Sequence, residues 1–420
     1  MAPLRNLGQP SPEIFSFGGR LIVSHRTTKP LIAFYCFTGL WSFNATSGLW
    51  ILYLIHCHWS LFQVGIAEAG FHLVSFVSEL PTGAFADRFG RRRSLVIGLL
   101  IGSTTSAMTF ALAPHFTALG MLSISLGALS WTFIGGADQA LLYGLTGSQR
   151  SYAQIYGRVA ALSLSATALA IVAGGFLVSH GGWIWPYLLT VATNLLAVIP
   201  VLWIPKATSE GCDSQESVLK TIQQAGRVVS QDARLLLLAA VGAVVSTLST
   251  INNLYAQATL QHKGISLTMI DVLIALGTGI AASGSVVGGH LAYRRRRQRF
   301  GSGLIVYGLA MGAIGIFPVT EAVSGYLLGN GIDGAIDPIY EAELNEKVPE
   351  EYRATILSLP RAGFSLGMVI FFPLAGWLMG HGLWVRVYGT MGMALLLIGI
   401  AVLLGRQREQ HIHTNTMFRK

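Results

Sequence analysis

The stretch Glu79–Arg93, ELPTGAFADRFGRRR, begins in an apolar segment and ends in a cluster of arginines. The apolar segments on either side, 61–78 and 95–113, are each long enough to cross a bilayer as a helix. We therefore predict a tight turn at a membrane surface between two transmembrane helices. Gly90 supplies the backbone freedom that such a turn needs, and Gly83 is expected to let another helix approach closely. The arginines mark the side that retains positive charge during insertion.

The composition excludes a large soluble protein. Of the 420 residues, 52% are hydrophobic and 11% are charged, whereas soluble domains carry about 25% charged residues. The 49 glycines suit close helix packing in a membrane. The formal charge is +9, but because no basic stripe lies on a soluble module, we expect no nucleic-acid partner.

The cysteines do not predict a metal site or a disulfide framework. Cys36, Cys57 and Cys212 lack the spacing of either. The run His56-Cys57-His58 is more typical of a polar helix end than of a metal site. We predict neither a metal nor an organic cofactor.

Apolar segments of about 20 residues predict twelve transmembrane helices. Their approximate bounds are 31–55, 61–86, 94–113, 117–143, 157–179 and 184–205, then 234–257, 267–293, 301–319, 322–343, 355–379 and 385–405. The predicted organisation is a tail (1–30), a six-helix bundle (31–205), a linker with an amphipathic helix (206–233), a second bundle (234–405) and a tail (406–420).

Positive charge alternates along these segments. Lysines and arginines fall in both tails and in the loops after even-numbered helices, whereas the opposite side has only Lys263 and Arg386 as clear exceptions. This asymmetry predicts that both termini are cytoplasmic.

The two halves repeat one another weakly. The sequence GFLVSHGGW at 175–183 is echoed by GWLMGHGLW at 376–384, and the segment around Asp138 is echoed around Asp337. Parallel six-helix repeats place a substrate site between them near the middle of the membrane. We therefore predict two pseudo-symmetric bundles.

The turn after the second helix carries a family motif. The pattern G-x-x-x-D-[RK]-x-G-[RK]-[RK] is met by six residues: Gly83, Asp87, Arg88, Gly90, Arg91 and Arg92. It resembles the loop between the second and third helices of the major facilitator superfamily. The stretches E-x-P-T-G and A-D-Q-A-L-L-Y also resemble bacterial multidrug and antibiotic exporters. This resemblance implies an all-α integral membrane fold of two bundles.

The resemblance also implies a conformational latch on the cytoplasmic side. Asp87 and Arg91 correspond to the pair that holds the two halves together, with Asp138 as the acidic partner at the end of the fourth helix. The start of the eleventh helix would face Asp87 with its positive dipole. Topology alone is the other role open to these residues, and it is the only role expected for Arg93.

Four polar residues of the second helix lie on one face. Glu68, His72, Ser75 and Glu79 are spaced by four, three and four residues. A charge within a membrane costs about 2.5–3.5 kcal/mol, so Glu68, His72 and Glu79, with Asp333 in the tenth helix, are candidates for proton coupling. A seam of hydrogen bonds that holds helices together is the alternative.

Further polar and aromatic residues are candidates for lining a substrate cavity. They are Trp41, Asn44, Trp131, Asn252, Asn253, Tyr255, Asn330 and Arg361. A mainly apolar cavity with a few polar groups suits lipophilic ligands, although aromatic residues in membranes also pack or lie at interfaces. Arg361 equally fits a carboxylate partner, an anionic substrate or the cytoplasmic interface. Asp271, near the start of the eighth helix, is expected to cap that helix.

The sequence also departs from the exporter pattern. Only Gly174 and Gly175 remain of the G-P-x-x-G-G signature of the fifth helix, and the usual arginine is absent from 121–136. The direction of transport and the proton pathway therefore stay open.

The predicted function is secondary transport by alternating access, because no nucleotide-binding loop of the G-x-x-x-x-G-K-[ST] type is present. Proton-coupled export of lipophilic drugs or metabolites is favoured. Proton symport of a small hydrophilic solute, such as a sugar or organic acid, is the alternative, and a receptor or a membrane enzyme is a remote one. We expect a small-molecule substrate, protons and the lipid bilayer as partners, no enzymatic activity, and a monomer that suffices.

The latch hypothesis makes a prediction for Asp87→Asn, which removes the charge and keeps the size. The variant should insert and fold normally but transport severalfold more slowly, since the latch bears on conformational switching. Transport into or out of cells, normalised to membrane expression, measures this. Arg93→Gln is the control, and full activity of Asp87→Asn would contradict the latch.

Overall fold

The computed structural model describes residues 28–146, 149–205, 233–291, 295–347 and 353–417, and within these ranges every regular element is an α-helix. The helices of the first half are α1 (Thr28–Ser42), α2 (Trp50–His56), α3 (Leu61–Phe89), α4 (Arg91–Leu112), α5 (Thr117–Thr146), α6 (Gln149–Gly181) and α7 (Ile184–Trp203). Those of the second half are α8 (Ala233–His262), α9 (Leu267–Leu291), α10 (Arg296–Ile316), α11 (Val319–Lys347), α12 (Arg353–Gly380) and α13 (Trp384–Met417).

The helices coincide with the twelve predicted segments, α1 and α2 together corresponding to the first. Among the described residues, ten helices are long and apolar enough to cross a membrane. They pack mainly within a first bundle, α1–α7, and a second bundle, α8–α13. The predicted tail 1–30 and linker 206–233 lie almost wholly outside the described residues. The last helix continues to Met417, well beyond the predicted end at 405.

The predicted turn at 79–93 is much shorter than the sequence suggested. Helix α3 continues through Pro81 to Phe89, and α4 begins at Arg91, so the turn is the single residue Gly90. Its φ of 98° is one that side chains rarely adopt, as the sequence predicted. Space beside Gly83 is open, so the close helix approach expected there is not made in this conformation.

The first predicted transmembrane helix is not continuous, contrary to the prediction for 31–55. Residues 43–49, here called the α1–α2 break, interrupt it. The side-chain oxygen Oδ1 of Asn44 accepts from the backbone N–H of Thr46 at 3.0 Å and from its hydroxyl at 2.7 Å. Ser47 Oγ donates to the Asn44 carbonyl at 2.8 Å. These local bonds compete with the helical pattern, which explains the break.

The sequence echo between the halves is also structural. His180 lies in α6, and His381 follows α12 directly. Their Nδ1 atoms lie 2.9 Å and 2.8 Å from the carbonyl oxygen four residues earlier. A glycine of positive φ follows the end of each helix: Gly182 (88°) after α6 and Gly382 (77°) after α12. The two six-helix repeats therefore end these helices in the same way.

Glycines bring α10 and α13 into backbone contact within the second bundle. A Cβ at Gly308 would lie 2.6 Å from the Gly392 carbonyl, and a Cβ at Gly392 would lie 2.5 Å from the Gly308 carbonyl. Gly301 and Gly399 meet in the same reciprocal way, with corresponding distances of 3.1 and 2.7 Å. Such contacts between small residues favour helix association in lipid, where the hydrophobic effect does not drive helices together.

We predict that Gly308→Val destabilises the protein by about 1–3 kcal/mol, the usual cost of overpacking. The melting temperature of the purified protein should fall by several degrees. Gly312→Val is the matched control, because nothing lies within 4 Å of a Cβ at Gly312 on the same helix. Equal melting temperatures for the two variants would contradict the packing account.

Candidate transport site

The molecule has two ends that differ in charge. The arginine-rich end carries Arg88, 91–93 and 295–299, and the arginine-poor end contains the connections 57–60 and 263–266. The two bundles meet along α3 with α12 and along α6 with α9. In terms of the predicted segments, the second contacts the eleventh, and the fifth contacts the eighth.

Backbones touch at the arginine-poor end of this bundle interface. A Cβ at Gly65 of α3 would lie 2.5 Å from Pro373 of α12, and a Cβ at Gly376 would overlap the carbonyl of Leu61. The hydroxyl of Tyr255 lies 3.2 Å from the carbonyls of both Leu61 and Phe372, to which it donates. The predicted cavity residue Tyr255 is thus fully buried between the bundles.

The α1–α2 break forms the other part of this contact. A Cβ at Gly174 of α6 would overlap the carbonyl of Ala45. Gln257 of α8 donates its amide to the carbonyl of Ser47 at 3.4 Å. Carbonyls that the break frees from helical bonding therefore meet a helix of each bundle.

The first bundle lines a cavity of about 310 Å³. Trp41, Asn44 and Trp131, three of the predicted cavity residues, lie together there, and the two indole rings meet edge to face at 5.4 Å. Many other lining residues carry hydroxyl or amide groups: Ser42, Ser47, Thr105, Ser106, Ser130, Ser163, Thr167 and Asn194. The described lining residues carry no charge.

The second bundle lines a cavity of about 430 Å³ that is acidic. It contains Asn253, Asp333 and Asp337, together with Ser249 and Tyr340. Ser249 Oγ donates to Asp333 Oδ2 at 2.5 Å. Asp333, a candidate for proton coupling, and Asn253, a candidate cavity residue, therefore line the same cavity.

Asn252, Asn330 and Arg361 lie elsewhere. Asn252 is buried inside the second bundle, and Asn330 is buried with Nδ2 donating to the Tyr326 carbonyl at 2.9 Å. Arg361 is exposed on α12, within electrostatic range of Glu341 of α11. The Asn252 amide has no hydrogen-bond partner among the described residues, and neither asparagine lines the two cavities.

The polar face of α3 lies against α12. Glu68 is buried, and its Oε1 lies 3.4 Å from His72 Nε2. The His72 ring meets the Phe364 ring edge to face at 5.1 Å. Glu79 is exposed and lies further along α3, nearer the arginine-rich end. The structure thus brings Glu68 and His72 together and leaves Glu79 apart.

The motif turn is tied to its own bundle in this conformation. Arg91 donates to the Ala140 carbonyl of α5 at 2.7 Å, and Arg92 to the Ile204 carbonyl at 3.3 Å. Arg88 lies over the Phe89 ring. The Asp138 carboxylate accepts from the backbone N–H of the next residue at 2.5 Å. The side chain of Asp87 lies outside the described part of the chain.

Sequence reasoning missed the residues that close the arginine-poor end. Gly65, Gly376 and Gln257 lie in the bundle interface, but glycine and glutamine recur along such helices and none stood out. The glycine pair 174–175 was visible only as the remnant of a family signature. Its place against the α1–α2 break depended on the break itself, which the sequence analysis did not predict.

The comparisons with known proteins agree with this architecture. The family model described as Major Facilitator Superfamily matches residues 31–359 and 249–419. The chain belongs to the Major Facilitator Superfamily. It is therefore a transporter of this superfamily, and the resemblance first seen in the 83–92 motif is confirmed.

Three curated bacterial relatives illustrate the range within the superfamily. The uncharacterized MFS-type transporter YxaM of Bacillus subtilis is 24% identical over 387 residues, covering 88% of this chain and 92% of the relative. The enterobactin exporter EntS of Escherichia coli is 25% identical over 370 residues, covering 82% and 83%. Multidrug resistance protein 2 of Bacillus subtilis is 29% identical over 149 residues, 36% of each chain.

Solved structures support the fold. The nucleoside transporter NupG superposes with a TM-score of 0.70 at 10% identity, covering 91% of this chain and 99% of that one. A bacterial homologue of the human lysosomal transporter Spinster, in an inward-facing and unoccupied conformation, gives a TM-score of 0.69 at 16% identity, covering 90% and 97%. At these identities the likeness concerns the fold alone.

Proposed function

We propose that this superfamily member exports lipophilic drugs or metabolites in exchange for protons, by alternating access in a bacterial plasma membrane. The observation that carries the proposal is the pairing of intramembrane carboxylates with polar partners beside the bundle interface. These pairs are Asp333 with Ser249 and Glu68 with His72. Ionisable groups at membrane depth mark ion or substrate pathways because their burial is costly.

The orientation follows from charge. The arginine-rich end faces the cytoplasm under the positive-inside rule, and both termini then lie there as well. The bundles touch at the arginine-poor end, so this conformation exposes the cavities toward the cytoplasm. The latch hypothesis fits this state, since Arg91 donates a hydrogen bond to α5 within its own bundle.

The two cavities suggest what the substrate looks like. Trp41 and Trp131 offer aromatic surface, and Asp333 and Asp337 offer negative charge on the opposite bundle. An amphiphile with an aromatic part, neutral or positively charged, matches both. A neighbouring carboxylate also allows protons and a cationic substrate to compete for one site, which is the simplest basis for exchange.

One observation favours the alternative, proton symport of a small hydrophilic solute. The cavity of the first bundle is rich in hydroxyl and amide groups that would bind a hydroxylated solute. The exposed Arg361 would contact an acid entering from the arginine-rich end. The same cavities thus serve either direction, and a transport assay distinguishes them.

The test is the accumulation of fluorescent dyes and antibiotics in cells that lack their own exporters, with and without this protein. Export predicts lower accumulation that a protonophore restores to the control level. Unchanged accumulation across a broad panel would contradict drug export. Protonophore-sensitive uptake of a radiolabelled sugar or organic acid would then support the alternative.

We predict that Glu68→Gln weakens the pH dependence of transport, because a neutral amide cannot exchange a proton with His72. Initial transport rates measured in proteoliposomes across a pH series from acidic to alkaline test this. Glu79→Gln is the matched comparison on the same helix face, and it should retain the dependence because Glu79 is exposed. A parent-like pH profile in Glu68→Gln would exclude Glu68 from the proton pathway.

A further inference from the structure

Asp271 of α9 is buried without a hydrogen-bond partner. The residue is 1% exposed, and neither carboxylate oxygen has a partner among the described residues. The predicted capping role is wrong, because α9 begins at Leu267 and Asp271 lies a full turn inside it. The buried carboxyl group therefore needs another explanation.

Glycines of the first bundle make room for this carboxyl group. A Cβ at Gly175 of α6 would overlap the carboxylate, and a Cβ at Gly48 in the α1–α2 break would lie 3.2 Å from Oδ1. The same Cβ at Gly48 would lie 2.7 Å from the side chain of Ile171 of α6. Asp271 is thus enclosed by the opposite bundle, and separation of α6 from α9 would uncover it.

The charged and titratable groups on the surrounding elements are engaged elsewhere or distant. On α6, His180 bonds a carbonyl of its own helix. At the end of α8, Lys263 donates to a backbone carbonyl before α11, and His262 stacks on a tryptophan. On α11, Glu321 is exposed, Tyr326 lies against Gly277 further along α9, and Asp333 accepts from Ser249. The α1–α2 break carries no titratable side chain. His290, also on α9, lies at the arginine-rich end.

We propose that Asp271 is a proton-binding site that controls closure of the arginine-poor end. The carboxyl group takes up a proton from water at that end before α9 packs against α6, and it returns the proton when the helices separate. A charge buried without a partner carries a large penalty, whereas a neutral carboxyl group carries a much smaller one. The inference rests on the proposed alternating access, and it is independent of the substrate and of the direction of transport.

Linkage fixes the sign of the pH effect. The closed arginine-poor end holds one more proton at Asp271 than the open one, so lowering the pH favours closure and raising it favours opening. A proton bound here returns to the side from which it came. Asp271 would therefore set the balance between conformations, whereas proton flux across the membrane needs the groups near the cavities.

A pair of spin labels reports on this closure directly. Ser179 of α6 and Thr268 of α9 are exposed, and their hydroxyl oxygens lie 2.9 Å apart across the bundle interface. Cysteines at these two positions, in a variant lacking the native cysteines, would carry the labels in lipid nanodiscs. Dipolar broadening of continuous-wave EPR spectra, which reports labels too close together for pulsed methods, then follows the closure across the pH range without a substrate. The parent should lose short distances reversibly as the pH rises.

The decisive variant is Asp271→Asn, which keeps the shape and cannot ionise. It should retain the short distance at every pH, whereas Glu321→Gln, a matched carboxyl-to-amide change at the same end, should respond like the parent. Gly175→Ala should lose the short distance at every pH, because its methyl group occupies the space of the carboxylate. This second variant tests the enclosure independently if Asp271→Asn folds poorly, as judged by gel filtration.

Two results would overturn the proposal: a parent whose distances do not change with pH, or an Asp271→Asn variant that titrates like the parent. Failure of drug export leaves these outcomes unaffected, since the labels report conformation alone. The two proposals therefore fail separately.

Discussion

The backbone of residues 43–49 leaves its helix at membrane depth, and polar groups there must be bonded within the protein because lipid offers no partner. Asn44 satisfies part of this demand from inside the break, through bonds to the backbone and hydroxyl of Thr46. The remaining carbonyls meet other helices: Ala45 lies against Gly174, and Ser47 accepts from Gln257. Helices of both bundles therefore contact the break. The local structure of residues 43–49 thus depends on how the two bundles are arranged.

Two kinds of surface follow from this arrangement. At the arginine-poor end the contact combines glycines with a few polar bonds, made by Tyr255, Gln257 and the Ser179–Thr268 pair. The glycines let backbones meet closely, and buried apolar side chains of both bundles pack beside them. Toward the cavities the helices present Trp131, Asn253 and Asp333, whose chemistry suits a bound molecule better than a neighbouring helix. The interface can therefore open while each bundle keeps its own packing, such as the glycine contact between α10 and α13.

The sequence predicted the fold far better than the site, for physical reasons. Hydropathy, charge asymmetry and the motif ending at Arg92 are local patterns. In a membrane, such local patterns determine where helices form and how they are oriented. The helices therefore form where the sequence predicted them. The break at Asn44 depends on side-chain bonds within four residues and left no trace in hydropathy. The roles of Tyr255 and Asp271 depend on which faces of distant helices meet, and no local pattern encodes that. The pairing of Glu68 with His72 was predictable because it lies within one helix.

The central claim is that the two ends of the interface open alternately, as parts of one motion. Label pairs on exposed positions of the two bundles test it most directly: His115 with His381 at the arginine-poor end, and Arg93 with Arg361 at the arginine-rich end. Both distance distributions would be measured by pulsed EPR in the same nanodiscs, with pH used to shift the populations. The account predicts opposite changes: when the distance between the labels increases at one end, it decreases at the other. Parallel changes, or movement at one end alone, would contradict it.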